Sequence, residues 1–443
     1  MIDAVRARNL SCYGYDKKTS PNIDNIAKEG IIFKNCYSCI NTTDPSITSI
    51  LSGKYPSTHG LIDHGVTDES YYLKKSLTLK PLQSILRSKG YMTIAIDWLG
   101  RWHRIGFDHY SGSLNKNSKF YERIQRFKIG RHIYNVGLSL FKKIRPYKIS
   151  YDIASDVTNY ALKLINKYSK KNFFLFIHYW DPHAPYCPPK EHLKIFKKEK
   201  YYSSIKINDE IINSINNEQW KTFIKKWIKK RNINDILASY DAEINYVDSQ
   251  IGKLTQGLRE FDLYDNTIFI ITSDHGESLT EHGIYFDHHG LYDVNIHVPL
   301  IICYPNKIDG EKNISSLVQH VDIVPTTLDL LNFNYCKNNY DGKSLVPLFK
   351  KDVEDFRSFI YAEEVHTQRK IAIRTNKYKY IFSPFKDKTV CRYCGRIHGA
   401  LEELYDLERD PNENINIAYK TELAIELRSQ LDNFIEELKS KKN

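Results

Sequence analysis

The stretch NTTDPSITSILSG, residues 41–53, places two threonines at the opening of a short predicted helix. Asp44-Pro45 predicts the helix start, because aspartate is a good N-cap and proline suits the first helical position. Gly53 predicts its end. With Asp44 as the cap, Thr43 lies at the helix mouth, where backbone N–H groups favour an anion. Thr43 is therefore either a structural residue or a nucleophile.

Apolar runs elsewhere in the chain predict a sheet covered by helices. Four runs rich in β-branched or aromatic residues predict buried strands: residues 92–97, 172–178, 267–274 and 299–303. Amphipathic helices are predicted over residues 152–168 and 237–258. Strands that alternate with helices predict an α/β fold, with a largely parallel central sheet between helices.

The character of the sequence changes near residue 356. FIYAEEV, RKIAIRT and YKYIFSP predict short antiparallel strands, and a final helix is predicted from about Glu422. We therefore predict a larger α/β domain over residues 1–355 and a smaller C-terminal α+β domain over residues 356–443.

Polar side chains follow the predicted strands at their carboxyl ends, the edge of an open sheet where functional groups gather. Four clusters of this kind occur: Asp3 and Arg6; Asp97, Arg101 and His103; His178, Asp181 and His183; and Asp274, His275 and Glu277. A single histidine or aspartate in a loop is usually a cap or a hydrogen-bond partner. Four clusters at one edge predict a site.

Eight stretches, in order, resemble the sulfatase family of the alkaline phosphatase superfamily: DAVRARNLSCYGY, SPNIDNIAKEGIIF, TDPSITSILSGKYPSTHG, GRWH, HYWDPHAPY, SDHGE, LYDVNIHVPLII and ELYDLERDPNE. They run nearly from end to end of the chain. The resemblance implies an alkaline-phosphatase-like fold and a metal-dependent hydrolase of phosphate or sulfate esters.

The resemblance implies a metal site and a nucleophile. Asp3, Asp274 and His275 fall at the family's metal-binding positions. Thr43 falls at the nucleophile position, where it would also contact the metal. Carboxylates with one imidazole suit a borderline cation, so one divalent ion is expected, with zinc or manganese favoured over calcium or magnesium. A second ion near Asp181 and the neighbouring histidines is a further hypothesis.

The resemblance also implies residues that handle the substrate. Arg101 and His103 match a lysine and a histidine that hold the transferred group. His183 matches a histidine that assists the leaving oxygen. His288 or His289 falls at a second substrate-contacting position, and the sequence leaves the choice between them open.

The signature run departs from the family pattern. Sulfatases proper carry C/S-x-P-S-R, whose first residue is oxidised to formylglycine, whereas this chain has Thr43 at the first position and Ile47 at the fifth. A hydrated aldehyde can release sulfate by elimination, but a threonine sulfate has no such exit. The departure favours phosphoester cleavage through a phosphothreonine. It also keeps open transfer of a phosphoethanolamine or glycerolphosphate group, and a non-catalytic binding protein with this fold.

The composition and net charge of the chain narrow the range of candidate binding partners only a little. The formal net charge of +11 suits an anionic ester substrate, such as a lipid headgroup or glycan, and a membrane surface is also compatible with it. Basic stretches at residues 116–148 and 190–230 are either solvated helices or an anion-attracting rim. No nucleic-acid signature occurs. No signal peptide or membrane span is predicted in the chain as given, and the short run before Asp3 predicts a truncated first strand, which leaves localisation open.

Two CxxC pairs, Cys36/Cys39 and Cys391/Cys394, are also present. They are either reduced pairs or ligands of a structural zinc ion.

Overall fold

The computed structural model describes residues 1–63, 79–99, 104–112, 153–199, 201, 221–222, 225, 233–350, 356–384, 390–392, 395, 397–419 and 421–440. The predictions for Arg101, His103, Cys394 and the basic stretch 116–148 lie outside these residues, as does most of the stretch 190–230.

The strands of the described residues form three sheets. In chain order they are β1 (Ile31–Tyr37), β2 (Met92–Ile96), β3 (His109–Ser111), β4 (Phe173–Ile177), β5 (Phe269–Thr272), β6 (Leu300–Cys303), β7 (Lys312–Gln319), β8 (Ile360–Glu364), β9 (Lys370–Arg374), β10 (Tyr378–Phe382) and β11 (Glu402–Asp406). The strand orders are β3-β2-β4, β5-β6-β1-β7 and β11-β10-β9-β8.

The helices surround these sheets. They are α1 (Pro21–Lys28), α2 (Thr43–Ser52), α3 (Pro56–His59), α4 (Leu82–Ser88), α5 (Ala154–Tyr168), α6 (Lys190–Phe196), α7 (Ile233–Glu260), α8 (Asp293–Ile296), α9 (Ile323–Leu330) and α10 (Glu422–Ser440). Among the described helices, none combines the length and apolar character needed to cross a bilayer.

The predicted α/β fold is confirmed, with one correction to the strand directions. β2 pairs in parallel with β3 and β4, and β1 pairs in parallel with β7. β6, which we predicted within a largely parallel sheet, instead runs antiparallel to both β1 and β5. The larger part of the chain therefore holds one parallel and one mixed sheet.

Residues 1–3 join these two sheets. Ile2 forms a parallel bridge with Tyr179, just beyond β4, and its N–H donates to the carbonyl of Thr272 at the end of β5 (2.9 Å). The N–H of Asp3 donates to the Tyr179 carbonyl (2.8 Å). The start of the chain and the ends of β4 and β5 therefore meet at one edge.

The long helix α7 packs over a core to which both sheets of the larger part contribute. Its apolar face, which includes Ile244, Val247 and Ile251, is almost wholly buried and belongs to one core with Ala161 and Ile165 of α5. Burying one such isoleucine or valine side chain contributes roughly 1.5–3 kcal/mol, so this core holds the strand ends in place.

The C-terminal sheet is antiparallel throughout, as predicted from residue 356 onward, although β11 was not foreseen. It is attached to the larger part of the chain beside α2. Glu363 of β8 forms a parallel bridge with Ile40, and its N–H donates to the carbonyl of Cys39 (3.0 Å). Strand β8 thus supports the segment that leads to Thr43.

Candidate active site

Helix α2 begins two residues earlier than predicted from an Asp44 cap. Thr42 is the N-cap residue, with an extended backbone (φ −138°, ψ 130°), and its carbonyl accepts the N–H of Ser46 (3.0 Å). Thr43 is the first helical residue and is wholly buried. The Asp44 prediction was wrong because Thr42 already has the non-helical conformation of a cap. Thr43 nevertheless lies at the helix mouth.

Asp3, Asp274 and His275 meet at this mouth. All three are 0% exposed, and their ligand atoms lie within 4.8 Å of one another. The Nε2 atom of His275 is 3.3 Å from Asp274 Oδ2, 3.7 Å from Asp3 Oδ1 and 3.2 Å from Thr43 Oγ1. Within the described part of the chain, no other three histidine, cysteine or acidic side chains come together in this way.

The chemistry of this cluster fits a divalent cation. Asp3 Oδ1 and Asp274 Oδ2 are buried and have no hydrogen-bond donor among the described residues. His275 Nδ1 donates to the Gly276 carbonyl (2.8 Å), so in the neutral ring Nε2 carries a lone pair. Two buried carboxylate oxygens that lack donors and face one another are costly, and a metal ion relieves that cost.

Each carboxylate is held by its other oxygen. Ala4 N–H donates to Asp274 Oδ1 (3.2 Å), and His178 Nε2 donates to Asp3 Oδ2 (2.9 Å). His178 Nδ1 in turn contacts Asp97 Oδ1 (2.9 Å). Burial alone would lower the pKa of His178, but the two carboxylates raise it to about 10. The sequence indicated Asp97 and His178 only as strand-end residues without a role.

Three imidazole rings lie beside one another at the cluster. The ring centroids of His275 and His288 are 4.1 Å apart, and His183 lies 6.3 Å from His275 and 5.8 Å from His288. Trp180 stacks on His183 (4.4 Å), whose Nδ1 donates to the Ala184 carbonyl (2.8 Å). The tautomer and orientation of His183 are thus fixed, with Nε2 as the atom that can exchange a proton.

The geometry distinguishes His288 from His289. His288 stacks on His275, and its Nδ1 donates to the carbonyl of Asn41 (2.5 Å). Asn41 Nδ2 donates back to the His288 carbonyl (2.8 Å). His289 Nε2 lies instead 3.0 Å from Asp287 Oδ2. Asn41 was not singled out from the sequence, although it begins the stretch that carries Thr43.

The hypothesis of a second ion near Asp181 stays a prediction. Asp181 Oδ1 accepts the N–H of Ala154 at the start of α5 (3.1 Å). Asp181 Oδ2 is buried and has no hydrogen-bond partner among the described residues. Burial raises the pKa of Asp181 to about 7.

Ile47 occupies the place of the signature arginine. It is 0% exposed and packs with Leu51, Ala95 and Phe176. An apolar cluster therefore fills the side of α2 one turn below Thr43. The predicted roles of Arg101 and His103 stay predictions, since both residues lie outside the described part.

Two family models match the chain. The model described as Sulfatase matches residues 1–333, and the one described as N-sulphoglucosamine sulphohydrolase, C-terminal, matches residues 280–441.

Curated relatives are similar over most of their length. An N-acetylglucosamine-6-O-sulfatase of Bacteroides thetaiotaomicron is 26% identical, over 96% of this chain and 82% of that protein. An arylsulfatase of Clostridium perfringens is 26% identical, over 94% of this chain and 89% of that protein.

Solved structures share the fold. The structure of BT4656 in complex with its substrate D-glucosamine-2-N,6-O-disulfate has a TM-score of 0.72 at 24% identity, and the match covers 100% of this chain and 97% of that one. A phosphonate monoester hydrolase from Silicibacter pomeroyi has a TM-score of 0.70 at 17% identity, with 100% and 94% covered.

Proposed function

This chain belongs to the sulfatase family and is a hydrolase of sulfuric or phosphoric esters, and from that premise we propose that Thr43 is its nucleophile. The observation that carries the proposal is the position of Thr43 Oγ1. It lies at the start of α2 and 3.2 Å from His275 Nε2, within the group of converging acceptor atoms.

One divalent ion would be held by Asp3, Asp274, His275 and the hydroxyl of Thr43. This mixture of carboxylates and imidazole favours zinc or manganese. When bound, such an ion lowers the pKa of a hydroxyl group and offsets the charge of an anionic ester.

The chain's own residues supply the remaining chemistry. Thr43 Oγ1 first gives its hydroxyl proton to solvent and then attacks phosphorus, and the bond from phosphorus to the leaving oxygen breaks. His183 enters this step as the imidazolium and gives its Nε2 proton to the leaving alkoxide. A water molecule then attacks the phosphothreonine and releases phosphate, and its proton goes to His183. His288, stacked beside His275, is in position to contact a non-bridging oxygen.

Phosphoester cleavage is the form of this reaction that Thr43 supports best. A phosphothreonine opens by attack of water at phosphorus, whereas the aldehyde route for sulfate needs a cysteine or serine at this position. Ile47, buried in apolar packing, also replaces the arginine of the sulfatase signature.

Sulfate-ester hydrolysis is the second candidate, because the relatives are named as sulfatases. The same names support a glycan ester as the substrate class, since the relative from Bacteroides thetaiotaomicron is an N-acetylglucosamine-6-O-sulfatase. The net charge of +11 suits either anionic ester.

The test uses the metal-loaded protein with an aryl phosphate monoester, an aryl phosphodiester, an aryl sulfate and 6-O-sulfated N-acetylglucosamine. Thr43→Ala should lower kcat/KM for the preferred ester by at least about a thousandfold. Thr42→Ala is the matched control and should stay within about tenfold, because the Thr42 side chain makes no cap hydrogen bond to the helix.

The results of these assays distinguish the candidate reactions. Phosphoester turnover that the Thr43 variant loses supports the main proposal. Sulfate turnover that exceeds phosphate turnover favours the second candidate, and product formation that rises with added alcohols indicates group transfer. If Thr43→Ala keeps more than about a tenth of the wild-type rate, Thr43 is not the nucleophile.

A further inference from the structure

A line of buried side chains runs from the parallel sheet to the candidate metal ligands. Tyr110 of β3 donates its hydroxyl proton to Asp97 Oδ2. Asp97 Oδ1 lies 2.9 Å from His178 Nδ1, and His178 Nε2 lies 2.9 Å from Asp3 Oδ2. The side chains of Asp97, His178 and Asp3 are all 0% exposed. The line connects three strands to one ligand.

The strand register produces this line. β2 and β4 pair in parallel with Ile96 opposite Ile177, so the next residues along the two strands, Asp97 and His178, stand side by side. Tyr110 is in register with Ala95 on the other side of β2. The strand ends at the edge of this three-stranded sheet therefore fix the geometry.

The line restricts the rotation of Asp3. Because His178 occupies Oδ2, only Oδ1 faces Asp274 and His275. Asp274 is held in the same manner, with Oδ1 on the N–H of Ala4 and Oδ2 facing the cluster. Each carboxylate thus has one anchored oxygen and one presented oxygen, an arrangement that metal sites use to fix their ligands.

We propose that Asp97, supported by Tyr110, is a positioning residue that acts through His178 to orient Asp3 for metal binding. The inference rests on the metal site of the proposed function. Asp97 does not itself touch the substrate or the reacting atoms, so the property that it controls is metal affinity.

A purely structural role for Asp97 makes a different prediction. A buried carboxylate that only stabilises the sheet would change the melting temperature and leave the metal affinity of the folded protein unchanged. Asp108 is a suitable comparison, because its Oδ2 accepts the N–H of Thr93 (3.0 Å) and its Oδ1 pairs with Arg87 (2.8 Å). It stabilises the same sheet without a link to Asp3.

The experiment measures Kd for Mn²⁺ and Zn²⁺ by calorimetric titration of demetallated full-length protein, with melting temperatures recorded for each variant. Asp97→Ala should weaken binding by about 10–100-fold. Asp97→Asn should stay within about threefold, because its amide oxygen still accepts a hydrogen bond from His178. Asp108→Ala should leave Kd unchanged even where it lowers the melting temperature.

Two results would overturn the inference: a Kd for Asp97→Ala within about threefold of wild type, or an equal loss of affinity in Asp108→Ala. If Asp97→Ala does not fold, Tyr110→Phe decides in its place, with an expected weakening of about three- to tenfold, and an unchanged Kd overturns the inference. Failure of the wild type to bind either ion would instead overturn the proposed metal site, and this inference with it.

Discussion

The ion pair between Arg6 and Glu281 should hold together the two segments that carry the candidate metal ligands. Arg6 follows Asp3 by three residues, and Glu281 follows His275 by six. Arg6 Nη1 lies 2.7 Å from Glu281 Oε1, with the side chains 6% and 27% exposed. We expect Glu281→Gln to leave the Arg6 guanidinium buried without its counter-charge and to destabilise the protein.

The size of the expected loss in the free energy of unfolding follows from the pKa of Glu281. Burial alone would raise this pKa above its ordinary 4.5, but Arg6 and the Thr280 N–H lower it to about 2. A depressed acid pKa means that the ionised carboxylate stabilises the fold above pH 4.5, and that this stability is lost as pH falls from 4.5 towards 2. This difference in pKa between the folded and unfolded protein contributes about 3 kcal/mol to the free energy of unfolding at pH 7 and about 1.4 kcal/mol at pH 3.

Urea unfolding at several pH values measures this difference. Glu281→Gln should be about 3 kcal/mol less stable than wild type at pH 7, and the gap should more than halve by pH 3. Glu29→Gln is the matched control. Its partner is Arg259, the two side chains are 42% and 46% exposed, and the loss should stay below about 1 kcal/mol. A Glu281→Gln gap below about 1 kcal/mol at pH 7, or one that does not shrink with acid, would refute the reasoning.

Three further changes test other parts of the structure. Lys370→Met should cost about 3–5 kcal/mol in chemical denaturation, because it removes the ammonium group that lies 2.6 Å from the buried Glu403 carboxylate and balances its charge. Gly276→Ala should lower stability by about 1–3 kcal/mol and weaken metal binding, since its Cβ would meet the Val294 carbonyl oxygen at 2.1 Å, beside the candidate ligand His275. Added Mn²⁺ or Zn²⁺ at about 100 times Kd should stabilise the wild type by about 2.7 kcal/mol in thermal melts, and Asp274→Ala should abolish that gain.

Each of these three predictions has a control variant, and an unexpected result in the control would contradict the prediction. Lys377→Met breaks a pair that is largely exposed and should cost below about 1 kcal/mol, so an equal loss in both lysine variants contradicts the burial argument. Gly112→Ala meets no atom within 4 Å and should be nearly neutral. Asp181→Asn should keep the metal-dependent gain, and a loss there would place the ion elsewhere.

Periodicity was enough to find the strands that are continuous apolar runs. It missed β1 and β7, because Lys34 and Asn35 interrupt the first and Ser315 and Ser316 interrupt the second. It also gave no information about the direction of β6, which depends on long-range pairing rather than on local composition. The cap of α2 was placed two residues late, within the usual uncertainty of helix ends.

The sequence predicted the residues of the candidate site better than it predicted the residues that hold them in place. The rule that functional groups follow strand ends placed Asp3, Asp274 and His275 among the candidates, and the family resemblance singled them out as metal ligands. The structure brings these three residues together. The contact between Asp97 and His178 depends on the register of two strands separated by more than 70 residues, which one sequence does not specify. The choice of His288 over His289 likewise required the contact with Asn41.

The bridge between Ile40 and Glu363 has a consequence for protein engineering. Because β8 pairs with the backbone at Ile40, three residues before Thr43, we expect that replacing the C-terminal sheet with that of a relative would also displace Thr43. A chimera that changes loops of this sheet for a new substrate should retain β8 from the host, and a chimera that replaces it should need residues 39–41 from the same donor.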